Sequence, residues 1–82
     1  MPHIDEQQLR RTLLHIVDQE DILYFLQPHL THVNNSSLNG LYRCLQSRKN
    51  GIYFAIDNVV MDCYSNDRLY TLMHQLIAHF TK

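Results

Sequence analysis

The chain has no tryptophan, and its 82 residues include only two glycines, two prolines and two cysteines. With so little glycine there is no Gly-rich loop of the kind that cradles phosphates, and no His-Glu-x-x-His zinc helix or Ser-centred nucleophile elbow is present. No apolar run approaches the roughly 18 residues of a membrane span. The opening Met1-Pro2-His3-Ile4-Asp5-Glu6 lacks the basic-then-apolar progression of a secretory signal, so the expected location is the cytoplasm. In that setting Cys44 and Cys63 read as free thiols, small buried hydrophobes rather than a disulfide. The formal net charge of -1 excludes a global electrostatic pull toward nucleic acid or an acidic membrane.

What is present is a folded-protein composition, 45% hydrophobic and 18% charged, sized for a single small domain over residues 1–82. Charge is segregated along it. Residues 1–33 set Arg10 and Arg11 against Asp5, Glu6, Asp18, Glu20 and Asp21, whereas residues 34–51 carry Arg43, Arg48 and Lys49 without an acid. A basic segment between acidic neighbours is either consumed by internal pairing or presented to a partner.

The apolar spacing predicts an all-α fold, a compact bundle of four or five short helices. Asp5 and Gln8 suit a capping box for a helix over 6–17, with Leu9, Leu13, Ile16 and Val17 on one face. Asp18 is placed to cap a second helix bearing Ile22, Leu26, Leu30 and Val33, which Pro28 should break or kink. After Asn34-Asn35-Ser36-Ser37, with Ser37 as the expected cap, a third helix carries Leu38, Leu41, Tyr42 and Leu45 and stops near Arg48-Lys49-Asn50-Gly51. Residues 52–64 are ambiguous. Their Ile, Tyr, Phe and Val content suits a β-hairpin around Asp57-Asn58, while Ile52, Ile56, Val59 or Val60, and Cys63 also share a helical face. From Asn66 or Asp67, a terminal helix presents Leu69, Leu72, Met73, Leu76, Ile77 and Phe80.

No catalytic, cofactor-binding or metal-binding residues are assigned. His29 and His32, three apart, could join Cys44 or Cys63 around zinc, but Pro28 disrupts the helix that would align them, and a structural or solvent-facing role is expected. The functional expectation is a non-enzymatic protein-interaction module, a small regulator, inhibitor or adaptor, centred on Tyr42, Arg43 and Arg48 and capable of forming a homodimer. Tyr24, Phe25, Tyr53, Tyr64 and Tyr70 are further aromatic anchors, most of them expected to pack the core. The alternative is a helix-turn-helix-like DNA-binding regulator, using Asn39, Arg43, Gln46, Arg48 and Lys49 for groove and phosphate contacts.

Overall fold

Helical periodicity prevails along the chain in the computed structural model, which describes residues 4–48 and 50–81. Six helices follow one another: α1 Glu6–Ile16, α2 Ile22–Leu26, α3 His29–Val33, α4 Ser36–Ser47, α5 Ile52–Cys63 and α6 Asp67–Phe80. The expectation of four or five is thus corrected to six, because Pro28 splits the second apolar segment into two five-residue helices, α2 and α3. The radius of gyration, 11.4 Å, agrees with the ~11.7 Å expected of a compact chain this long.

Residues 52–64 form no hairpin; Ile52–Cys63 are the helix α5, whose Ile56, Val59, Val60 and Cys63 are all buried, and Tyr64 is its C-cap. These positions recur at helical intervals, so one face can be buried completely, whereas the two-residue alternation of a strand would divide them between faces. The β-forming content of the segment yields to this tertiary burial. The terminal helix has the apolar stripe foreseen, with Leu69, Leu72, Met73 and Leu76 buried and Ile77 and Phe80 packed at its edge.

Helix ends depart from the sequence expectation in three places, while α4 stops near Arg48 as expected. Asp5 occupies the N-cap position of α1 in extended backbone but makes no side-chain capping bond. Asp18 caps nothing: Gln19 N donates to Ile16 O and Ile22 N to Gln19 O, so a turn continues the chain and α2 begins only at Ile22. For α4 the cap is Asn35 rather than Ser37, its side chain accepting from Leu38 N at 2.8 Å, while the Ser37 hydroxyl donates to the Asp62 carboxylate. Arg48 itself takes the left-handed C-cap of α4, and Gly51, at φ 100°, is the left-handed residue that starts α5. Asn66 caps α6 by accepting from Leu69 N, the same Asx geometry that serves α4.

The core joins all six helices: Leu9, Leu13 and Ile16 of α1, Ile22 and Leu26 of α2, Val33 of α3, Leu38 and Leu41 of α4, the buried face of α5, and the stripe of α6. Helix α5 lies between α1 and α4 and packs on α6 behind. It runs antiparallel to both flanking helices. Arg10 pairs with Asp57 at 2.6 Å on the α1 side, and Ser37 and Asn35 hold Asp62 on the α4 side. The hydrogen bond and charge of Asp57 raise the Arg10 guanidinium above its ordinary range. Two tyrosines fasten the start of the chain: Tyr64 Oη donates to Ile4 O at 2.6 Å, and Ile4 N donates to Tyr70 Oη at 3.1 Å.

One polar defect remains beside this clasp. His74 Nε2 is buried without a hydrogen-bond partner, while its ring meets Tyr70 edge-on at 4.8 Å. An orphaned buried polar atom costs about 1–3 kcal/mol, so His74→Phe, which keeps the ring contact and removes the nitrogen, is expected to stabilise the fold by about 1 kcal/mol. Thermal unfolding of the variant checks this as a rise of about 4–8 °C; a fall in melting temperature would show that the imidazole is satisfied in solution.

Candidate functional site

The outward side of α5 is where the pattern of apolar-in and polar-out reverses. Tyr53, Phe54 and Met61 stand 69%, 73% and 64% exposed on it, with Asp57 and Asn58 between them. Burial of Ile56, Val59, Val60 and Cys63 on the other side of the same helix dictates this for positions 54, 57, 58 and 61, which turn away when 56, 59, 60 and 63 turn inward; Tyr53 is in line with buried Val60 and is exposed because it stands in the first turn of α5. Clustered exposed apolar side chains, unlike scattered single ones, mark contact surfaces.

Between α4 and α5 runs an open groove of about 560 Å³ whose lining includes Gly40, Arg43, Cys44, Phe54 and Asn58. Nothing stands within 4 Å of a side chain built on Gly40, so that stretch of the groove is open. Among the described residues of its lining, Arg43 is the charged one. At the other end of α5, a groove of about 520 Å³ is lined by Asp5, Glu6, Met61 and Tyr64. The exposed face thus has a cation toward its N-terminal end, carboxylates toward its C-terminal end and the Arg10–Asp57 pair beside its middle.

The residues singled out from the sequence are not brought into one patch. Tyr42 is half-buried against the core. Arg43 is exposed in the α4–α5 groove, whereas Arg48 lines a different groove of about 670 Å³ together with Gln46, Asp18, Glu20, Ile22 and Leu23. Five residues along a helix already amount to a rotation of about 140°, and Arg48 leaves the helix as its left-handed C-cap, so the two arginines line different grooves. Cys44 lies between the two and lines both grooves. Among the DNA-contact candidates, Asn39 is half-buried, Gln46 shares its groove with Arg48 and the two acids, and Lys49 lies outside the described residues.

Phe54 and Met61 were not among the residues the sequence points to. The signal that could have found them is the α5 face itself: once 56, 59, 60 and 63 are taken as the inner stripe, 54 and 61, seven apart, fall together outside. Of the other aromatics, Phe25 is enclosed by His29, His79 and Phe80 at centroid distances of 5.6, 5.1 and 5.7 Å, and it joins α2 to the end of α6. Tyr24 is exposed on α2.

His29 and His32 line a shallow groove with Asp67 and Arg68, and Arg68 Nη1 donates to the His32 carbonyl. Among the described residues no three His, Cys, Asp or Glu side chains are gathered closely enough to hold a metal ion. Neither cysteine is in a disulfide; Cys44 is half-buried and Cys63 buried. Burial pushes the Cys63 thiol up to about 11, and its Sγ donates to Val60 O at 3.1 Å. Because the folded state retains a proton that the unfolded thiol has already lost, this contribution to stability is whole below about pH 9 and is lost as pH rises toward about 11. The expected result is a fall in unfolding free energy across that window that is smaller in Cys63→Val, with urea titrations of both proteins as the check; parallel pH profiles would contradict it. Modification by a thiol reagent at neutral pH should correspondingly reach Cys44 first.

Among the described residues no helix is long and apolar enough to cross a membrane. Fold and surface together define a small all-α helical protein with one exposed apolar face. A scan of protein-family models and searches of curated proteins and solved structures found no match to the chain.

Proposed function

We propose that this protein is a non-enzymatic interaction module, a small cytoplasmic regulator, inhibitor or adaptor, whose contact surface is the outer face of α5 with the α4–α5 groove. The observation that carries this reading is the projection of Phe54 and Met61 from a helix whose opposite side is buried, with Tyr53 exposed beside them in its first turn. Exposed aromatics beside an arginine are the composition from which interface anchors are drawn. Arg43 supplies polar selectivity from within the groove, and Tyr42 supports α4 from the half-buried side. Arg48, on the other flank, contributes at the rim of a second contact.

Function through surface complementarity requires no chemical turnover, and the shallow open grooves suit a protein surface better than an enclosed small substrate. The DNA-binding alternative is less well supported, because Gln46 and Arg48 share their groove with Asp18 and Glu20, whose carboxylates would meet phosphate oxygens. Affinity capture with nuclease-treated and untreated extracts separates the two. A stoichiometric protein partner retained after nuclease treatment fits the proposal; recovery that depends on nucleic acid and falls steeply with salt fits the alternative.

A further inference from the structure

We infer that the α5 face pairs with a second copy of this chain in an antiparallel two-fold dimer, Phe54 of each protomer packing against Met61 of the other. The inference rests on the reading of that face as a protein-contact surface and names one occupant for it. Three features of the face lead there.

The first is symmetry of the apolar anchors. Phe54 and Met61 are both exposed on one side of α5 and stand two turns, about 10 Å, apart. A two-fold axis passing between Asp57 and Asn58 places each over the other's counterpart, as an isologous interface demands, and joins a thioether to an aromatic ring twice. Asn58, exposed at the centre, meets the partner's helix near the axis, where a side-chain amide can pair with its symmetry mate and fix the register.

The second is charge. Arg43 flanks the Phe54 end, while Asp5 and Glu6 flank the Met61 end and Asp62 follows Met61 on the α4 side. Antiparallel pairing keeps the α4 flank of each copy against the α4 flank of the other, so Arg43 of one comes over the Asp62 end of the other, while Asp5 and Glu6 lie on the α1 flank. Parallel pairing would bring like ends together, so the charge distribution selects the antiparallel arrangement.

The third is area. Phe54 and Met61 leave roughly 250 Å² outside, about a third of the ~800 Å² that each partner contributes to a standard interface. The walls of the α4–α5 groove, open above Gly40, are available for the remainder. A chain of 82 residues with one modest core gains from covering such a face.

Sedimentation equilibrium on the purified chain tests the inference without reference to any other partner. Between about 1 µM and 1 mM the average mass is expected to rise from 9.8 kDa toward twice that value, and Phe54→Ser and Arg43→Glu are each expected to raise the dimer Kd at least ~10-fold while circular dichroism stays unchanged. In a Cys44→Ser background, Asn58→Cys is expected to cross-link to its own copy under mild oxidation. A mass of 9.8 kDa throughout, or a dimer indifferent to both surface variants, would overturn the inference. Absence of the cross-link from a protein that dimerises would overturn the antiparallel register. A monomer that still captures a different protein through Phe54 would leave the interaction-module reading standing with another occupant, whereas a Phe54-dependent dimer that captures nothing would retain this inference and remove that reading.

Discussion

Leu13→Ala is expected to lower the unfolding free energy by about 2–5 kcal/mol, the largest effect of any substitution considered for this fold. Leu13 is fully buried in the core on α1, a helix that packs on both α5 and α6. The cost combines lost transfer free energy with a cavity that the neighbours fill only in part. Against a total stability of about 4–12 kcal/mol for a chain this long, such a loss consumes much of the margin. Urea unfolding measures it directly. A loss below about 1 kcal/mol would show that α1 is not integral to the core.

Phe54→Ser is expected to have the opposite profile: unfolding free energy within about 0.5 kcal/mol of the parent when both are measured at concentrations where the chain is monomeric, and at least ~10-fold weaker binding of any protein that uses the α5 face. Phenylalanine and serine have similar helix propensities, so the exposed helix should tolerate the change without local unfolding. Truncation removes the largest exposed ring of the groove and leaves its wall, Gly40 and Arg43, in place. Placing Leu13→Ala beside it separates loss of fold from loss of surface. Binding lost at equal stability identifies a contact residue; equal loss of stability in both variants would move Phe54 into the core.

Much of the fold was legible in the sequence because it follows from spacing. The stripe Leu69, Leu72, Met73 and Leu76 marks α6 unaided, and the break at Pro28 needs only the missing amide donor. The α5 segment was ambiguous because its residue types favour a strand while its spacing favours a helix. Burial of Ile56, Val59, Val60 and Cys63 against neighbours distant in sequence decided between them. Caps were the least legible, since Asn35 and Ser37 both have the right side chain and only the backbone geometry assigns the role to Asn35.

The surface was less legible than the core, for a related reason. Residues such as Phe54 and Met61 read as core material, and their exposure emerges only when the inner face of α5 is known. Arg43 and Arg48 looked like one basic patch because they are close in sequence, but they lie in separate grooves. Charge along the chain anticipated a basic middle and acidic flanks. Its arrangement at opposite ends of one helix required the antiparallel packing of α1 and α4 on α5.

The most direct test is affinity capture at near-physiological salt after nuclease treatment, with the parent chain and Phe54→Ser carried through together at matched stability. The expected result is a stoichiometric protein retained by the parent and lost from the variant. Identical protein recovery by both, or recovery that vanishes with nuclease, would contradict the assignment of the α5 face as a protein-contact surface.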